Sequence, residues 1–213
     1  MPRTALSVLL CLAFAATLQA EGTQRTLFDG KTLQGWEGKA GMFRVEDGAI
    51  VAGTLKARIP NNEFLCTKQQ FENFELRLKA KLIGQGNNAG IQFRSQRIPN
   101  HHEVKGYQCD MGAAGKLNNI WGSLYDESRR GKFLATGDTD KVNSVFRKDD
   151  WNEFRIRCQG PRIQIWLNGL KTVDYVEADD DVTRTGIIGL QIHGGAPAEA
   201  WYKDIVIEEL KGQ

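Results

Sequence analysis

Alternation constrains this chain more than any other property of its sequence. Phe74, Leu76, Leu78, Ala80 and Leu82 interleave with Glu75, Arg77, Lys79 and Lys81, and Phe154, Ile156 and Cys158 interleave with Glu153, Arg155 and Arg157. A period of two puts the apolar side chains on one side of a strand, so each segment settles with one face buried and the other solvated. Asp47-Gly48 and Asn168-Gly169 each separate two short strand-like runs, and both dipeptides suit the positive φ angles of a type I′ hairpin turn. Gln159-Gly160-Pro161 marks a further turn, and no window shows a long helical period capped at both ends. Short strands at regular spacing, with 23 glycines to serve the turns, predict an all-β fold, an antiparallel β-sandwich or barrel. No internal repeat or linker interrupts it, so one domain is expected over residues 24–211. Residues 84–88, 96–105, 112–119 and 126–150 read as long irregular stretches, where functional loops are commonly found.

The first twenty residues read as an export signal. Arg3 precedes an apolar run from Ala5 to Ala16, and Leu18-Gln19-Ala20 ends in a small residue suited to cleavage. The expected destination is periplasmic or extracellular. The run is short for a membrane span and no later segment approaches one, so no membrane association is expected after cleavage. Lys and Arg number 28 against 26 Asp and Glu, for a formal net charge of +2. Removing the segment with Arg3 leaves a nearly neutral protein, a balance that gives nucleic acid no electrostatic footprint. Cys66, Cys109 and Cys158 match no zinc spacing. In an oxidising compartment they allow one disulfide and one buried thiol, with the pair left open.

A second class of strand stands apart from the solvated kind. In Ala89–Arg94, Ile91 and Phe93 oppose Gln92 and Arg94; in Gly106–Met111, Tyr107, Cys109 and Met111 oppose Gln108 and Asp110. In Ile120–Tyr125, Trp121, Ser123 and Tyr125 share a side, and in Gly186–His193, Gln191 and His193 do. If these strands lie in one sheet, a single face collects Gln92, Arg94, Gln108, Asp110, Trp121, Tyr125, Gln191 and His193. Amides, a carboxylate, a phenol and an indole together suit a sugar or another small polar ligand. An ordinary glycosidase needs two carboxyl groups about 5–9.5 Å apart. Asp110 has no carboxylate at i±2, and Asp126 and Glu127, being adjacent, point to opposite sides.

The ordered motifs Asn88-Ala-Gly-Ile-Gln-Phe-Arg94, Gly106-Tyr-Gln-Cys-Asp110, Trp121-Gly-Ser-Leu-Tyr-Asp126, Trp151-Asn152, Trp166-Leu-Asn-Gly169 and Gly189-Leu-Gln-Ile-His193 resemble those of the bacterial 3-keto-disaccharide hydrolase family, as does the opening Leu27–Trp36. The resemblance covers nearly the whole chain after the signal. It implies a concanavalin A-like jelly roll acting on an oligosaccharide or glycoside oxidised at C3. A ketone at C3 acidifies the proton on C2, so a base can start a 1,2-elimination that water completes by addition. Such chemistry needs one base, an oxyanion stabiliser and an acid, rather than a carboxylate pair. On this reading Asp110 and His193 supply base or acid, Arg94 stabilises the oxyanion, and Tyr125 donates a proton. Gln92, Lys105, Gln108, Trp121, Glu127 and Gln191 are the expected substrate contacts, with Lys105 an alternative partner for the oxyanion. Asp110 and His193 also leave a divalent metal open. The rival expectation is a non-catalytic, lectin-like carbohydrate-binding module on the same sandwich.

Overall fold

The computed structural model describes residues 23–212; the expected signal at residues 1–20 lies outside the described residues. The elements follow in chain order as β1 Gln24–Thr26, β2 Trp36–Glu37, β3 Phe43–Glu46, β4 Ala49–Thr54, β5 Glu63–Phe71, β6 Phe74–Gly84, β7 Asn88–Arg97 and β8 Val104–Gly112. They continue as β9 Leu124–Glu127, β10 Phe133–Ala135, α1 Thr139–Val145, β11 Asn152–Gln159, β12 Arg162–Leu167, β13 Leu170–Val176, β14 Gly186–Ile192 and β15 Ala198–Glu209. Two antiparallel sheets stack face to face. The first has the order β13-β12-β11-β6-β15-β4-β3 with β1 also on β15; the second has the order β10-β9-β8-β7-β14-β5-β2.

The expected alternation decides the packing. Leu76, Leu78 and Ala80 of β6 and Phe154, Ile156 and Cys158 of β11 point inward. They meet Ile91, Phe93, Tyr107, Cys109, Ile188 and Leu190 of the second sheet in one continuous core. Both hairpin dipeptides adopt positive φ, Asp47 at 49° and Gly48 at 72°, Asn168 at 47° and Gly169 at 86°. Their backbones thereby match the twist of the strands they join.

Tyr202 of β15 crosses the core, its hydroxyl 2.6 Å from Gln191 O and 3.2 Å from Gly90 O. It satisfies carbonyls of the second sheet from below.

Three expectations change. Residues 126–150 are not wholly irregular: they contain β10 and the seven-residue α1, whose N-cap Asp138 accepts from Lys141 N. Residues 120–123 are a turn rather than strand, because Ser123 N donates to Ile120 O and Gly122 sits at φ 76°. Cys66, Cys109 and Cys158 are all free and buried, so no disulfide joins any two of them. Cys66 lies in a small cluster with Phe64, Val104 and Ile187, whereas Cys109 and Cys158 lie in the main core, and burial pushes the thiols of Cys66 and Cys158 up to about 12.

Candidate active site

The middle of the second sheet carries a polar outer face. Directly opposed residues of antiparallel strands share a side. One row therefore runs Tyr125, Gln108, Gln92, Gly189 and Cys66 across β9, β8, β7, β14 and β5. The next row runs Asp110, Gly90, Gln191 and Phe64. The predicted convergence of Gln92, Gln108, Asp110, Tyr125 and Gln191 thus corresponds to one sheet face, on which Tyr125 is half-buried and the other four are at most 3% exposed. A small apolar cluster of Phe64, Cys66, Val104 and Ile187 borders it, separate from the main core.

Its floor is a directed chain of hydrogen bonds. Ser95 Oγ lies 2.7 Å from Gln92 Oε1, Gln92 Nε2 donates to Gln108 Oε1 at 2.7 Å, and Gln108 Nε2 donates to Asp110 Oδ1. A primary amide accepts at oxygen and donates at nitrogen, so the relay has one direction and ends on the carboxyl. Gly90 makes room for it, since a Cβ there would stand 2.5 Å from Gln108 Cδ. Asp110 is only 3% exposed. Burial pushes its carboxyl up to about 8; the Gln108 hydrogen bond works against that rise, and the nearby Glu127 charge adds to it. Beside it, both amide atoms of Gln191 and Asn88 Oδ1 are buried with no protein partner. Each such group costs about 1–3 kcal/mol if left dry, so this is where polar atoms of a ligand or solvent belong.

The rim is titratable. Tyr125 is half-buried, its ring edge-on to Phe133 at 5.1 Å between centroids. Glu127 shares its side of β9, and the Ser128 hydroxyl lies against both Glu103 and Glu127. Burial, then the charge of Glu103, raises the Glu127 carboxyl, while His193 pulls it down. His193 stands exposed just past β14 with Nδ1 2.7 Å from the acceptor Gly194 O. That contact assigns the proton of the neutral ring to Nδ1 and leaves Nε2 free as an acceptor.

Three expected members are elsewhere. β7 bulges after Phe93, with Arg94 at φ 47°, and the extra residue sends the guanidinium toward the opposite sheet. There Arg94 donates to Glu72 O and Gly160 O, both at 2.8 Å, and to Asn73 Oδ1 at 3.3 Å. Lys105 has the opposite parity from Val104 and Gly106 and lines a cavity of about 300 Å3 with Arg94, Arg129 and Asp179. Trp121 turns inward at the 120–123 turn and packs on Phe146 and Phe154, with ring centroids 4.7 and 5.9 Å away. None of the three belongs to the polar face.

Among the described residues, no three His, Cys, Asp or Glu side chains are disposed to share a metal ion. The sequence reading missed Ser95, which heads the relay, and Glu103 with Ser128, which join Glu127. The bulge at Arg94 returns Ser95 to the outer side, and only the fold of the 98–103 turn brings Glu103 to Glu127.

Residues 23–208 match the 3-keto-alpha-glucoside-1,2-lyase-like domain family. The chain belongs to that family. A 3-keto-disaccharide hydrolase from Bacteroides thetaiotaomicron is 33% identical to it over 81 residues, which span 34% of this chain and 28% of that relative. The chain thus matches well under half the length of the curated relative. A provisionally assigned glycosyl hydrolase from Parabacteroides distasonis shares the fold at TM-score 0.67 and 24% identity, over 88% of this chain and all of the other. The carbohydrate-binding module CBM66 from Bacillus subtilis shares it at TM-score 0.58 and 15% identity, over 82% and 96%. The 3-keto-alpha-glucoside-1,2-lyase-like domain is here a concanavalin A-like β-sandwich in a hydrolase-type family. Its matched region contains every residue of the polar face.

Proposed function

We infer that the polar face of the second sheet cleaves 3-keto-glycosides by elimination and hydration, in an exported protein. The observation that carries this reading is Asp110: a buried carboxyl poised near neutral pH at the end of an amide relay. A general base works best when its proton affinity lies close to the working pH. In the proposed step Asp110 takes the C2 proton, the C–H electron pair forms the enolate, and the bond from C1 to the leaving oxygen breaks as the enolate collapses. Water then adds at C1 while the proton returns to C2, so the net change is hydrolysis. The relay keeps Gln108 donating to Asp110, which holds the carboxyl in one orientation through both halves of the cycle.

The other roles follow from the rim. Glu127, with its carboxyl raised by burial and by Glu103, is the acid for the leaving group. Tyr125 lies beside Gln108 in the same row and donates to the oxyanion in place of Arg94, which is committed to carbonyls elsewhere. The amide of Gln191, fully buried and without a protein partner, engages a sugar hydroxyl once the face opens to substrate. His193 Nε2 is a second acceptor at the edge. The row through Phe64 leads to a cavity of about 520 Å3 lined by Glu37, Lys39, Glu63, His101 and His102, which has room for the leaving sugar.

The test is release of a chromophore from an aryl 3-keto-glucoside. Wild type should release it with kcat/KM rising through an apparent pKa near 8, because the base must be ionised. Asp110→Asn should lower kcat at least a hundredfold and abolish that limb, in line with the usual contribution of about 10²–10⁴ from a positioned base. Binding of the keto-glucoside without release by wild type would sink the enzymatic reading and favour a lectin-like module.

A further inference from the structure

The outer face of the first sheet, on the far side of the sandwich, holds indoles where a solvated sheet usually carries small polar side chains. Trp201 pairs with Lys81 across β15 and β6, and packs with Val51, Ile83 and Trp151 in an apolar cluster separate from the core. Lys81 Nζ lies 4.5 Å from the Trp201 ring centroid and 5.0 Å from that of Trp151, while Lys203 Nζ lies 4.2 Å from Trp151. Trp151 remains half-exposed. It lines an open depression of about 330 Å3 together with Lys79, Arg147, Glu153 and Lys203.

The cations here are largely without carboxylate partners. Lys79 is paired with Asp204 at 2.9 Å, and Glu199, which accepts from the Trp201 indole at 3.1 Å, is held by Arg44. Among the described residues Lys81, Lys203 and Arg147 make no ion pair. Shielding of the indoles from water accounts for the lysine stems, but not for gathering like charges around one ring. We propose that Trp151, Lys81, Lys203 and Arg147 form a second carbohydrate-binding surface, specific for an acidic glycan. The Trp151 ring stacks on the C–H face of a sugar, and the cations pair with its carboxylate or sulfate groups. The surface is independent of the proposed activity, because the polar face lies on the other sheet.

The full chain would be titrated by calorimetry and affinity electrophoresis with oligogalacturonate, dextran sulfate, neutral dextran and single-stranded DNA. Oligogalacturonate or dextran sulfate should bind, with affinity falling as salt rises, and whichever binds identifies the acidic group. Trp151→Ala should weaken binding at least tenfold. The double variant Lys81→Gln/Lys203→Gln, which leaves the apolar cluster intact, should do the same, whereas Asp110→Asn should bind as wild type does. No binding to either acidic glycan, equal binding of neutral dextran or DNA, or unchanged affinity in the lysine variant would each overturn the proposal.

Discussion

Asp110 sets a conflict between stability and chemistry at the scale of one side chain. Its carboxyl titrates near 8 in the folded protein and near 4 in the unfolded chain. Between those values the native state keeps a proton that the unfolded state gives up. Stability therefore falls as pH rises through that window, by at most about 1.4 kcal/mol per pH unit for this group, and levels off above it. Asp110→Asn keeps a neutral group of the same shape at every pH. Its melting temperature relative to wild type should climb steadily from pH 5 to pH 8 and then stay constant. Thermal melts across that range check it; a difference that is flat with pH would mean the carboxyl is ionised in the folded protein throughout.

Single strands show which parts of the site could be read in advance and which could not. On β8 and β14 the alternation runs without interruption, so Gln108, Asp110 and Gln191 were placed correctly by parity alone. On β7 the same rule failed two residues after it succeeded: Gln92 faces out, but the bulge inverts Arg94. Trp121 failed for the same reason, because a turn stands where continuous strand was expected. A single left-handed residue leaves little trace in composition, whereas a side-chain period repeats itself. Two substitutions test the local geometry. Gly90→Ala should displace Gln108, and with it the hydrogen bond to Asp110, while leaving the strand pairing in place. A double-mutant cycle with Gln108→Ala should then be strongly non-additive in kcat, since the second change has nothing left to disrupt. Arg94→Ala should destabilise the protein by about 1–3 kcal/mol by taking the donor from two part-buried carbonyls. Arg94→Gly, which relaxes the positive φ, should recover about 1 kcal/mol of that loss in urea unfolding.

Across the whole molecule, cohesion comes from the apolar core between two sheets rather than from covalent links among the described residues. The three thiols lie in separate buried positions, and burial raises all of them. Reductant should leave the melting temperature unchanged, and a thiol reagent at pH 8 should modify the native protein only as fast as it unfolds. Stopped-flow labelling against the unfolding rate measures this; a fast-reacting thiol would contradict the buried placement. Arg94 has a role at this scale that its displacement from the polar face conceals. It grows from the strand that carries Gln92, yet every bond its guanidinium makes is to the 72–73 crossover between sheets or the Gly160 hairpin. It acts as a latch, fastening the floor of the site to the turns of the opposite layer. A loosening of Asn73, remote from the polar face, would reach the strand of Gln92 as a change in its stiffness, so the rigidity of that face is partly set from outside it.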